Sequence, residues 1–266
     1  MALSILAAVA LAASVTASAS ATTGPYAVKW SQYGDLVNHT VYQPTVKPPG
    51  QMPVLIWGEG GCVANGLLYN GFLSEIASYG ITVIASGGPA QIGISTVSLM
   101  NRSIDWAKTH NSTPGDPLQG HLAADRVAVA GHSCGGLEAY QLAAARPEVA
   151  AVGIMDSGQL TRNQTQLNAI KAPVLYVLGG SGDIAYANGL YDFGVLPPTL
   201  PAFLASTPTG HFGTYWDQNG GQFATILKDW IQWRISGSQA AAQTFVGPTC
   251  ALCVRAGWTV KKRNID

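Results

Sequence analysis

The chain predicts an α/β fold built on a mostly parallel central sheet with helices on both faces. Three observations carry that prediction. Short apolar runs of strand length recur from Pro53 onward, helix-like segments separate most of them, and one run leads through Gly131-His-Ser-Cys-Gly135 straight into a helical stretch. Runs that are apolar throughout, rather than alternating, mark strands buried on both faces, as crossover helices impose on a parallel sheet. At 266 residues the chain is long enough for one large core of this kind.

Taken in order, Tyr26-Ala-Val-Lys-Trp30 and His39-Thr-Val-Tyr-Gln43 alternate like edge strands and form an antiparallel lead-in, with a turn-rich connection over 44–53. Core strands are expected at 54–57, 81–85, 127–130, 150–155, 173–178 and 200–205, and helices at 67–79, 96–110, 135–145, 184–191 and 222–235. In the last helix Phe223, Ile226, Leu227, Trp230 and Ile231 recur at helical spacing, so these side chains read as core rather than cofactor contacts. Residues 22–235 are thus expected to form the catalytic domain. Residues 236–266 change character, with a polar-alanine stretch, two cysteines and Lys261-Lys-Arg263, and read as a C-terminal extension clamped by a local disulfide.

Charge narrows the function. Charged residues make up 11% of the chain and acids balance bases at 14 each, which excludes a basic nucleic-acid surface and an acidic tail and favours a small, largely uncharged substrate. Residues 1–14 form an apolar block too short to span a bilayer, followed by small residues at Ala17-Ser-Ala-Ser-Ala21; residues 1–21 read as a secretory signal peptide. Sequons at Asn38, Asn101, Asn111 and Asn163 agree with export and with a glycoprotein. Four cysteines in an exported chain imply two disulfides with three possible connectivities. Cys62 with Cys134 is the favoured pair, because Cys134 follows Ser133 and Cys62 lies in the loop after an earlier strand that approaches the same edge. Cys250 and Cys253 remain for the second. Their spacing also suits half of a zinc site, but no second pair accompanies it, and no metal is expected.

The Gly-x-Ser-x-Gly stretch needs a strand before it and a helix after it, because the serine sits on a tight turn whose neighbours must lack side chains. Both flanks are present, so Ser133 is the candidate nucleophile. A serine hydroxyl needs a base, and the base needs an acid that fixes its tautomer and stabilises its charge. His211, in Thr209-Gly-His-Phe-Gly-Thr214, is the candidate base. Asp183, beyond Gly179-Gly-Ser-Gly182, is the candidate acid, with Asp156 in Met155-Asp-Ser-Gly158 as its competitor. His39, His110, His121 and His132 read as structural. The oxyanion donors are expected at the backbone N–H of Cys134 and, from Trp57-Gly-Glu-Gly-Gly-Cys62, that of Glu59, with Gly60 as the alternative and the Glu59 side chain turned elsewhere.

These residues, over about 53–235, resemble the α/β-hydrolase superfamily, in which the triad follows the order Ser, Asp, His. More narrowly the chain resembles short secreted esterases related to dienelactone hydrolases and to bacterial or fungal polyester hydrolases. It departs from the His-Gly-Gly-Gly pattern of many lipases in carrying Trp57 where that histidine would stand, and it has serine where dienelactone hydrolases have cysteine. The resemblance implies an α/β-hydrolase fold and a secreted serine esterase that works through an acyl-enzyme, takes a small or polymeric ester and requires no cofactor. A catalytically silent binding or effector module, a lyase or cyclase, and an amidase are the alternatives on the same fold. Segments 87–94 and 111–122 are candidate borders of an open cleft.

Overall fold

The computed structural model of the protein describes residues 16–18 and 22–265. The expected signal peptide, 1–21, therefore lies outside the described residues apart from the backbone of β1 (Thr16–Ser18), which runs antiparallel to β2 (Val28–Ser31).

The chain continues through β3 (His39–Pro44), β4 (Val54–Gly58), α1 (Asn70–Ala77), β5 (Thr82–Ser86), α2 (Val97–Ser112), β6 (Val127–His132) and α3 (Cys134–Ala145). It then forms β7 (Val149–Met155), α4 (Gln164–Ala169), β8 (Val174–Leu178), α5 (Tyr186–Val195), β9 (Ala202–Ser206), α6 (Gly221–Ser236), α7 (Gln239–Ala242) and β10 (Thr259–Arg263). Among the described residues these strands make one sheet in the order β1-β2-β3-β5-β4-β6-β7-β8-β9-β10. Strands β5 to β9 are parallel, and antiparallel strands close both edges. This is the mostly parallel α/β sheet that the sequence predicts.

Two apolar layers follow from the alternation of side chains along buried strands. Val54 and Ile56 of β4 join Val127 and Val129 of β6, Ile104 of α2 and Tyr140 of α3 on one face. Leu55 and Trp57 join Phe72 of α1 and Phe223, Leu227 and Trp230 of α6 on the other. Both layers are fully buried, which explains why these strands read as continuous apolar runs.

Elements that the sequence reading omits carry little apolar periodicity. Helix α4 buries only Leu167 and is capped by the Asn163 side chain, which accepts from the Gln166 N–H at 3.0 Å. Strand β10 contains Lys261-Lys-Arg263, which looks like a cationic tail; it pairs antiparallel with β9, from Thr259 opposite Ser206 to Arg263 opposite Ala202. Lysines on an outermost strand discourage further pairing. The same C-terminal stretch buries Phe245 against Trp230 and Trp233, and the disulfide Cys250–Cys253 ties it locally.

Three glycines set the position of α3. A Cβ on Gly135 would lie 2.0 Å from the Gly58 carbonyl oxygen, and one on Gly131 would lie 2.3 Å from the Gly135 carbonyl carbon. The helix can start directly over the ends of β4 and β6 only because all three positions lack side chains. Segment 111–122 does not border this edge. Leu122 bridges Met52, ahead of β4, so the segment lies at the amino-terminal ends of the strands, whereas Gly93 and Ile94 pair with Ala64 and Val63 just beyond Cys62.

Helix α3 also buries Glu138, whose Oε2 accepts from the Ser95 hydroxyl at 2.9 Å; burial pushes its carboxyl up to about 7. The folded protein holds a proton that the unfolded chain releases at lower pH. Its stabilising effect is therefore complete below the ordinary carboxylate range and is lost as pH rises through about 7. Glu138→Gln, which keeps the acceptor without the charge, is expected to melt progressively higher than the parent protein between about pH 5 and about pH 8. Thermal melts of both proteins across that range check this; a pH-independent difference contradicts it.

Candidate active site

All three candidate triad residues lie beyond the carboxyl ends of parallel strands, where open α/β sheets gather their ligand sites. Ser133 occupies the turn between β6 and α3 with a φ of 51°, a left-handed conformation that a non-glycine residue rarely adopts. Its N–H donates to the Met155 carbonyl at 3.0 Å, and its own carbonyl accepts from the Ser157 hydroxyl at 2.6 Å. The strained turn is thus held at its N–H by the last residue of β7 and at its carbonyl by the segment just beyond it.

Asp183 follows β8 across a short turn closed by its N–H to the Gly180 carbonyl at 2.9 Å. Its side chain is buried and accepts from the N–H groups of Ala185 and Gly179 at 2.9 and 3.4 Å. His211 follows β9, and the Gly210 N–H donates to the Gly179 carbonyl at 2.8 Å, joining the acid-bearing and histidine-bearing loops. His211 Nδ1 lies 2.6 Å from Asp183 Oδ1 and His211 Nε2 lies 3.0 Å from Ser133 Oγ. With the carboxylate holding an N–H on Nδ1, neutral His211 presents Nε2 as an acceptor toward the serine hydroxyl.

Asp156, the competing acid, makes no such contact. It is wholly buried at the end of β7, where its Oδ2 accepts from the Tyr215 hydroxyl at 2.9 Å. Burial, reinforced by neighbouring Asp183, pushes its carboxyl well above the usual range and favours the neutral acid. The two carboxyl groups differ in environment, and Asp183 alone meets the imidazole.

The loop after β4 is tied to the serine turn by the Cys62–Cys134 disulfide. Cys134 opens α3, so its N–H is one of those at a helix start that lack an intrahelical acceptor. The Glu59 side chain is fully buried, with Oε2 accepting from Trp57 Nε1 at 3.2 Å, and desolvation pushes its carboxyl far above the usual range. Trp57 packs against Tyr69 and Phe72 in the core.

Ser133 and His211 open on a cleft of about 380 Å³ whose wall includes Gly61, Cys62, Leu137, Leu160 and Ile184. Among the described residues His211 is the one ionisable side chain that lines it. Leu160 and Ile184 stand 79% and 82% exposed, an arrangement that favours contact with an apolar ligand. Sequence reasoning missed both because a single apolar residue in a polar loop carries no periodic signal. It read His132 as structural, and His132 Nε2 lies 2.8 Å from the His211 carbonyl oxygen with its ring centroid 5.0 Å from that of His211. A histidine at the end of β6, directly before the candidate nucleophile, was the available signal.

The described residues contain no helix long and apolar enough to cross a membrane. No curated protein matches the chain. The family profile described as PETase, PET hydrolase-like, matches residues 11–193, a span that includes Ser133 and Asp183. A match over more than half of the chain, on a mostly parallel α/β sheet, shows that the chain belongs to the PET hydrolase-like family of α/β-hydrolase polyester hydrolases.

Proposed function

We propose that the protein is a secreted serine hydrolase that cleaves carboxylic esters, polyester chains among them, through an acyl-enzyme on Ser133. The observation that carries this reading is the hydrogen-bonded line from Ser133 Oγ through His211 to Asp183, at 3.0 and 2.6 Å. Membership of the PET hydrolase-like family supplies the ester class, and a cleft whose wall, among the described residues, holds no carboxylate or ammonium suits an uncharged substrate.

In this mechanism His211 Nε2 takes the hydroxyl proton as Ser133 Oγ attacks the ester carbonyl. Asp183 stabilises the resulting imidazolium and holds its orientation. The backbone N–H groups of Cys134 and Glu59 receive the negative oxygen, and the buried Glu59 carboxyl, kept neutral, does not oppose that charge. His211 then protonates the departing alkoxide, and a water molecule activated by the same imidazole releases the acid. No cofactor takes part. The catalytic unit is assigned to residues 22–235 with 236–266 as an extension, and the apolar leader and two disulfides support export.

Ser133→Ala and His211→Ala are each expected to lower ester turnover by about three orders of magnitude or more, and the double variant to add little, because the pair acts as a unit. Turnover of p-nitrophenyl esters by folded variants tests this. A Ser133→Ala protein that keeps most of its activity, or an absence of covalent labelling of native Ser133 by a fluorophosphonate, would overturn the assignment and favour a silent binding module.

The acid assignment predicts an asymmetry. Asp183→Asn is expected to lower turnover by roughly four orders of magnitude through loss of the correct tautomer. Asp156→Asn replaces a neutral acid by a neutral amide that still accepts from Tyr215, and is expected to cost no more than about tenfold. Steady-state kinetics of the two variants check the ranking, and the reverse order would move the acid to β7.

The apolar cleft wall predicts a substrate dependence. Ile184→Asp is expected to reduce release of products from a polyester film by about tenfold or more while changing turnover of a short soluble ester much less, since it removes apolar contact beyond the reacting centre. Parallel film and solution assays check this.

A further inference from the structure

We propose that His132 is a positioning residue for the reaction: a buried relay through Tyr69 and His132 fixes the backbone of His211 to the loop after β4. The proposal rests on His211 acting as the base, and it names two side chains that act through that histidine without touching substrate.

The relay is directional. The Tyr69 hydroxyl lies 2.6 Å from His132 Nδ1, and His132 Nε2 lies 2.8 Å from the His211 carbonyl oxygen. A carbonyl can only accept, so His132 carries its proton on Nε2 and donates it there; Nδ1 is then an acceptor and takes the Tyr69 proton. The Tyr69 oxygen in turn faces the backbone N–H of Gly60. Burial holds the His132 imidazole down, at about 4, so it stays neutral and the sense of the relay is fixed through the neutral range.

Close packing surrounds these groups. A Cβ on Gly60 would lie 2.3 Å from both the Tyr69 hydroxyl and His132 Nδ1, so the glycine is what allows the loop to close over the relay. Tyr69 and His132 are both buried, and Tyr215 packs edge-on to Tyr69 and 4.7 Å from the His132 ring. Breaking one link would leave a buried donor or acceptor without a partner.

The consequence concerns placement of the base. His211 lies in an irregular segment between β9 and α6, and its carbonyl is held by a residue directly preceding the nucleophile. The same relay reaches the loop that carries the proposed oxyanion donor. Nucleophile, base and oxyanion loop are thereby registered to one another by two hydrogen bonds and one glycine contact.

Four variants test the relay in the full-length protein: Tyr69→Phe, His132→Phe, His132→Gln and Gly60→Ala, each assayed for kcat and KM on a soluble ester and for melting temperature. Tyr69→Phe and His132→Phe are expected to lower kcat by about tenfold to 100-fold with KM within about twofold, because a displacement of about 1 Å at a reacting group costs that much. His132→Gln, whose amide can donate to His211 and accept from Tyr69, is expected to recover most of the loss. Gly60→Ala should behave like Tyr69→Phe. Wild-type kcat in folded His132→Phe, or a Gln variant no better than the Phe variant, would overturn the proposal. Should His132→Phe fail to fold, Tyr69→Phe, which keeps the ring and its packing, decides with the same criterion. Including His211→Ala separates the two readings: activity retained there removes the base assignment itself, whereas a dead His211→Ala beside fully active relay variants removes only the relay.

Discussion

The approach of three backbones at Gly58, Gly131 and Gly135 is the constraint on which the rest of the site depends. A helix cannot begin over the ends of two neighbouring parallel strands unless the crossing residues lack Cβ atoms, and here a single Cβ on Gly135 would meet the Gly58 carbonyl at 2.0 Å. The crossing places the left-handed turn of Ser133 above the sheet and brings the loop after β4 beside it. The Cys62–Cys134 disulfide then joins the two segments covalently. From that fixed point the acid and the histidine arrive beyond the carboxyl ends of β8 and β9.

Desolvation sorts the acids behind this edge. Glu59, Glu138 and Asp156 all lie in the interior, and in each case burial raises the carboxyl above its usual range, so that the neutral acid is the favoured form. Asp183 is distinguished by geometry: its oxygens meet two backbone N–H groups and the imidazole of His211. Asp156 also accepts from the Tyr215 hydroxyl, but among these acids it is Asp183 whose oxygen meets the imidazole. Asp183 is thus the acid set against His211, the histidine that faces the cleft.

The outer part of the site follows a different logic. Leu160 and Ile184 project from loops with most of their surface in water, an expense that a protein accepts where an apolar ligand covers it. The cleft is open to solvent along this apolar border, a shape suited to a chain or a surface presented from outside. Behind it, the candidate triad sits on short connections beyond the strand ends, and the Gly210 N–H to the Gly179 carbonyl ties two of them together.

What the sequence determined by itself were the features that depend on local pattern. Continuous apolar runs identify strands buried on both faces, helical spacing in 222–235 identifies the face of α6 that packs on the sheet, and Gly-His-Ser-Cys-Gly between a strand and a helix marks the turn at Ser133. The order of Ser133, Asp183 and His211 along the chain was equally readable. Patterns without periodicity were not: α4, β10 and the exposed Leu160 and Ile184 have no local signature, because their roles come from partners far away in sequence. Only the tertiary structure separated Asp183 from Asp156, since both follow parallel strands and it is Asp183 that reaches His211 Nδ1, at 2.6 Å. It alone brought His132 to the His211 carbonyl across 79 residues of chain. Hydrogen bonds of that kind are decided by packing at close range, which neither composition nor spacing encodes.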